Sequence, residues 1–165
     1  MIGDPKIDTR NALHTAGIRA NVPMSDFPIV IPQLLNEVFG WLAEHNIAPD
    51  GPPFLRMHRV SMSTRMDVEL GVIVAEPITG SGHVAPGIIP AGRYASLIYT
   101  GIENGIPGNA ALLNWGKAQG LVWDMIETEN GDAFGGRVEF FLDGPDDDPN
   151  PANWRTEVAI RLKDS

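Results

Sequence analysis

The chain has no cysteine. That removes disulfides, thiolate nucleophiles and cysteine-ligated metal centres, and it fits a reducing compartment. Positive charge is also scarce: 12 Lys and Arg stand against 21 Asp and Glu, a formal net charge of −9. No basic cluster offsets that balance, so phosphate backbones and anionic headgroups are repelled, and neither nucleic acid nor membrane is expected as a partner. Long apolar runs are missing too. The longest, around Phe27 to Leu35, holds two prolines and is too short to span a bilayer. The opening MIGDPKIDTR carries charges where a secretory leader needs an apolar stretch, and the expected location is the cytoplasm.

What remains is enough for a core. The 165 residues, 43% of them apolar, suit one globular domain. Residues 1 to 10 are polar, with Gly3 and Pro5, and read as a flexible terminus ahead of a single domain over residues 11–165. Strands are expected at Leu13 to Val22, Phe54 to Val60, Met66 to Ala75, Gly92 to Gly101, Arg137 to Leu142 and Trp154 to Leu162. Ile31, Leu34, Leu35, Val38 and Leu42 follow helical spacing, which predicts a helix over Pro28 to Asn46. A second helix is expected over Pro107 to Gln119. The order strand, helix, strand, strand therefore occurs twice, over about 11–76 and 90–163, with first strands and helices displaced by 78 residues. A duplication is the economical explanation, and it sets Glu69 opposite Glu157.

Most short motifs have an ordinary explanation. Gly80-Ser81-Gly82-His83-Val84-Ala85 has dinucleotide-binding spacing, but Pro86 and Pro90 follow and no helix can present its amides, so it reads as a turn. His14, His45, His58 and His83 lack metal-ligand spacing. Asp146-Asp147-Asp148 lies between Pro145 and Pro149 without a calcium loop's spaced ligands, and reads as a solvated turn. No metal and no cofactor is expected.

The last strand is more informative. Val158, Ile160 and Leu162 share one face, and Glu157, Ala159 and Arg161 the other. Phe140 and Phe141 are adjacent and point to opposite faces, so neither face is plain wet surface and a cleft fits. The 78-residue offset pairs Tyr99 with polar Asn21, and Ile98 with Ala20 on the core face. A carboxylate among aromatic rings is disfavoured alone, and a cationic or hydrogen-bonding ligand relieves that penalty. The plain alternative is a solvated Glu157 paired with Arg155 or Arg161.

Three stretches carry a family resemblance: IPAGRYASLIYTG (Ile89 to Gly101), ALLNWGKAQGLVWD (Ala111 to Asp124), and RVEFFLD followed by WRTEVAIRL. They resemble the GyrI-like small-molecule-binding domain, which is also the effector-binding domain of AraC-type and MerR-type multidrug-responsive regulators. The resemblance runs from about His14 to Leu162. It implies an α+β fold in which a duplicated strand-helix-strand-strand unit forms a curved antiparallel sheet with two helices and a central groove. It also implies a Glu in the last strand, here Glu157, among aromatics in that groove, and it matches Glu139 and Phe141 to an E-x-aromatic position. After Thr100-Gly101 many relatives carry a Pro and an aromatic, where this chain has Ile102-Glu103.

Two functions from different classes follow. One is a stand-alone binding module that captures lipophilic, often cationic xenobiotics, a multidrug-binding or detoxifying role. Glu157 would be its anchor, with Tyr99, Phe141, Trp115, Trp123 and Glu69 lining the site. The other, by likeness to stand-alone members, is a hydrolase of cyclopropane-bearing alkylating natural products. There Glu157 and Tyr99 would be catalytic, the first activating water and the second meeting the oxygen that gains charge. A gyrase-inhibitor-like interaction role ranks below both. The expected partner is a lipophilic small molecule, and a protein partner is left open.

Overall fold

The computed structural model describes residues 1–61 and 63–164. Its elements in chain order are β1 (Lys6–Arg10), β2 (Leu13–Pro23), α1 (Phe27–Glu44), β3 (Pro53–Val60), β4 (Arg65–Val74), β5 (Ala85–Ile89), β6 (Gly92–Thr100), α2 (Gly105–Ala118), β7 (Met125–Thr128), β8 (Gly131–Phe134), β9 (Arg137–Phe141) and β10 (Arg155–Arg161). In α1, Val38 and Leu42 lie one turn apart and are fully buried, with Leu34 and Trp41 beside them. Pro28 sits in the first turn, where a missing N–H costs nothing. The helix ends at Glu44, and Asn46 turns the chain with a φ of 55°. Gly82 has a φ of 60° and Ser81 bridges Val84, so the Gly80 to Ala85 segment is the expected turn.

The strands form one antiparallel sheet in the order β1-β6-β10-β9-β3-β4-β2-β5, with the β7–β8 hairpin attached to β3. Outward from the β9–β3 seam, the order β3, β4, β2 repeats as β9, β10, β6. This is the duplication. The ladders set its offset in the first strands: Arg19 stands against Glu69 as Ile98 stands against Glu157, a displacement of 79 residues. The expected offset of 78 is thereby corrected by one. A strand has period two, so one residue exchanges its faces. Tyr99 corresponds to Ala20 and not to Asn21; it is buried, whereas Ile98 is 38% exposed.

The polar N-terminus, read from sequence as flexible, contains β1. β1 pairs with β6 at one end of the sheet, and β5 pairs with β2 at the other. Each crosses to the opposite half, because β1 leads into β2 through Asn11-Ala12 and β5 into β6 through Pro90-Ala91. These links span at most roughly 11 Å, yet in a flat sheet six strand spacings would hold their ends about 29 Å apart. The sheet must therefore curl into a half-barrel. Its inner face carries Phe54, Ile73, Ile89, Tyr94, Val138, Phe140 and Ala159. From β3, Arg56 reaches across that interior and donates to the carbonyl of Ile88 at 2.8 Å. Both helices pack outside, α1 on Ala16, Ile18 and Val72, and α2 on Leu97, Tyr99, Val158 and Ile160. The two buried faces expected from adjacent Phe140 and Phe141 arise from this curl. No helix among the described residues is long and apolar enough to cross a membrane.

Candidate functional site

On the helix-bearing face of the seam, Leu55 of β3 stands directly opposite Glu139 of β9. Alternation along β9 puts Arg137, Glu139 and Phe141 on this face, and pairing to β10 sets them beside Ile160, Val158 and Thr156. Glu139 is thus a carboxyl in the middle of a buried layer, at 7% exposure. The Tyr99 phenol donates to its Oε1 at 2.5 Å, and the Asn109 amide of α2 donates to the same atom at 3.4 Å. Asn109 is tied to its own helix by a bond to the carbonyl of Gly105 at 2.9 Å.

Burial pushes the Glu139 carboxyl above the usual carboxylate range, against the opposing pull of Tyr99, Arg137 and Asn109. Burial, reinforced by the Glu139 charge, likewise raises the Tyr99 phenol, which stays a donor at all ordinary pH. Among the described residues no cation lies in ion-pair contact with Glu139. Burial without an ion-pair partner disfavours the charged form of this carboxyl, and a guest that donates a hydrogen bond to it or brings a cation beside it relieves that penalty. α2 is its cover. Gly108 lets the helix backbone approach the Tyr99 ring: a Cβ there would lie 2.8 Å from Cδ1. Two surface hollows, one beside Trp41 and His83 and one beside His14 and Ile88, lie away from Glu139.

The residues expected from sequence fall into three groups. Tyr99 and Phe141 lie on the helix-bearing face with Glu139; Phe141 packs among Leu55, Met57 and Val68. Trp115 and Trp123 pack against the core under α2, with the Trp123 ring seated on Gly116. Glu157 and Glu69 lie on the inner face, away from Tyr99. Arg10 of β1 donates to Glu157 Oε1 at 2.9 Å and to Ser96 Oγ at 3.2 Å, and its guanidinium lies over the Tyr94 ring. Glu69 meets His58 Nε2 at 2.8 Å, in space left by Gly17 and Gly87. Glu157 faces away from the helices, as the alternation predicts, but its partner is Arg10, neither Arg155 nor Arg161. Placing Glu157 and Tyr99 in one groove is the part that geometry corrects. Asn109 and Arg137 went unnoticed in the sequence. The signal for them was RVEFF itself: in a strand buried on both faces, an Arg and a Glu on one face require polar partners.

The fold agrees with the comparisons. The family model "GyrI-like small molecule binding domain" matches residues 3–163, and the chain belongs to that family. No curated protein sequence matches it. Among solved structures, it is similar to EcmrR in a complex with DNA, with a TM-score of 0.76 at 20% identity over 98% of this chain. It spans 58% of that EcmrR chain. SAV2435 bound to tetraphenylphosphonium gives a TM-score of 0.60 at 10% identity, over 97% of this chain and 94% of that one. A hydrolase from Listeria innocua gives 0.61 at 10% identity, over 97% and 92%. These likenesses establish the fold.

Proposed function

We propose that this small-molecule-binding domain takes lipophilic ligands bearing a cationic or hydrogen-bond-donating group, and that Glu139 is their anchor. The observation that carries this reading is a buried carboxyl with two neutral donors, Tyr99 and Asn109, at the seam of the two halves. The fold does not need it there, because the corresponding position of the first half is Leu55. A polar pair that only one half of a duplicated scaffold carries is a site rather than a structural part. Tyr99, Phe141, Trp115 of α2 and Trp123 beyond it would supply ring surface once α2 lifts. SAV2435, which shares the fold, binds tetraphenylphosphonium and supports this ligand class.

Titration with tetraphenylphosphonium, followed by calorimetry, tests the reading. Glu139→Gln is expected to weaken binding about tenfold or more while far-UV circular dichroism stays unchanged. Equal affinity in the folded variant would remove Glu139 from the site.

The Tyr99–Glu139 hydrogen bond supports a second reading, hydrolysis of a strained cyclopropane electrophile. Water would bond to the ring carbon and pass its proton to Glu139. The ring bond would break toward a conjugated oxygen, and the Tyr99 hydroxyl, released from Glu139 once that carboxyl carries the proton, would turn to donate to it. Mass-spectrometric detection of a water adduct, abolished by Glu139→Ala, tests it; stoichiometric binding without product refutes it.

A further inference from the structure

Arg137 opens β9 on the same face as Glu139 and is equally buried, at 7% exposure. Its guanidinium lies 4.8 Å over the Phe134 ring, and one terminal nitrogen donates to Asn109 Oδ1 at 3.0 Å. Its Nε is buried without a hydrogen-bond partner among the described residues. A buried guanidinium N–H left unpaired is costly and calls for a reason. Asn109 joins the two charged groups. Its carbonyl oxygen faces Arg137 and its amide nitrogen faces Glu139. Asn109 belongs to α2, so any movement of that helix away from the sheet uncovers a carboxyl and a guanidinium together.

We infer that Arg137 and Glu139 jointly select ligands with a hydrogen-bond acceptor directly beside a donor, the pattern of a carboxamide or lactam on a flat apolar body. In the unliganded protein the Asn109 amide holds that place. The inference rests on Glu139 being the ligand anchor, and it adds the chemistry of the ligand's polar group. A carboxamide reproduces both Asn109 contacts. An onium ion with no acceptor meets Glu139 but leaves Arg137 unpaired, and it sets a second positive charge beside it. Arg suits this task because its rigid fork stays charged on burial and satisfies a planar acceptor.

Three pyrene derivatives of nearly equal apolar surface separate the possibilities: pyrene-1-carboxamide, its N,N-dimethyl amide, and 1-pyrenemethylammonium. Fluorescence anisotropy of each with the full chain gives its affinity. The primary carboxamide is expected to bind about tenfold more tightly than either of the others. Arg137→Met is expected to abolish the preference over the ammonium and strengthen ammonium binding. The advantage over the dimethyl amide, which lacks only the N–H for Glu139, is expected to remain. Asn109→Ala is expected to strengthen carboxamide binding by removing the internal competitor. Equal affinities in the unmodified protein, or tighter ammonium binding, would overturn the inference, and that ranking needs no variant to fold. A preference over the ammonium that persists in folded Arg137→Met would overturn it too. If the compounds bind but Glu139→Gln changes none of the affinities, the anchor itself is wrong. If the ammonium depends on Glu139 and the carboxamide has no advantage, only the role of Arg137 fails.

Discussion

Leu55 and Glu139 face each other across the β3–β9 seam. One backbone environment, repeated by duplication, holds an isobutyl group in one half and a carboxyl in the other. The leucine side shows what packing alone accepts. Glu139→Leu should therefore fold, losing about 1–3 kcal/mol because the Tyr99 hydroxyl is left buried without its acceptor. Adding Tyr99→Phe should recover most of that loss, since no orphaned polar group then remains on β6. Thermal denaturation of the two single variants and the double checks both signs, and losses that simply add would refute the coupling.

Burial raises the Glu139 carboxyl in the folded state above its ordinary value. The folded protein then binds the proton more tightly than the unfolded chain, so stability is full below the unfolded carboxyl pKa. It falls as pH rises from there through the raised folded pKa. Glu139→Gln removes the titration. Its melting temperature relative to the unmodified protein should climb as pH increases from about 4 upward, the ordinary carboxylate range. A difference that is constant with pH would contradict a perturbed Glu139. Affinity for a permanent cation should rise over the same window, as the carboxylate forms.

The repeated unit was legible because its strands and helices are marked by strong periodicity: the α1 stripe of Leu34, Val38 and Leu42, and the alternation in β10. β1 was not, since KIDTR has no apolar run and earns its strand by pairing with β6, far away in sequence. Counting the repeat from residue landmarks at Leu13 and Ala91 slipped it by one residue, enough to turn Tyr99 from a buried face to a polar one. The orientation of Glu157 away from the helices was readable from alternation alone. That the curl fills this side with Phe54, Tyr94 and Phe140, and sets Glu139 on the opposite, helix-bearing face, depends on the connectors Asn11-Ala12 and Pro90-Ala91 bringing the two ends of the sheet together. No local pattern encodes that closure.

Glu157 should behave as a fastener. Its carboxylate holds Arg10, which holds β1 on the edge of β6. Glu157→Gln should cost about 1 kcal/mol, the scale of one partly exposed ion pair, and should speed hydrogen exchange at the β1 amides. Tetraphenylphosphonium affinity should remain within about twofold of the unmodified protein, because the side chain lies across the sheet from Tyr99. A larger fall would return Glu157 to the ligand site.

Gly108 sets how closely α2 lies on Tyr99. A methyl group there would come 2.8 Å from Tyr99 Cδ1 and 3.2 Å from Cγ, closer than carbon atoms tolerate, and the ring cannot retreat because its hydroxyl is held by Glu139. Gly108→Ala gains about 1 kcal/mol of helix propensity, and overpacking offsets it by about 1–3 kcal/mol. The helix is the movable partner: Gly105 and Pro107 lie in its first turn and it has no side-chain N-cap. The variant should therefore melt at a lower temperature and bind tetraphenylphosphonium with a faster association rate, since part of the work of lifting α2 is done before the ligand arrives. Stopped-flow fluorescence of Trp115 and Trp123 reads that rate, and a slower association in a folded Gly108→Ala would show that ligands reach Glu139 without moving α2.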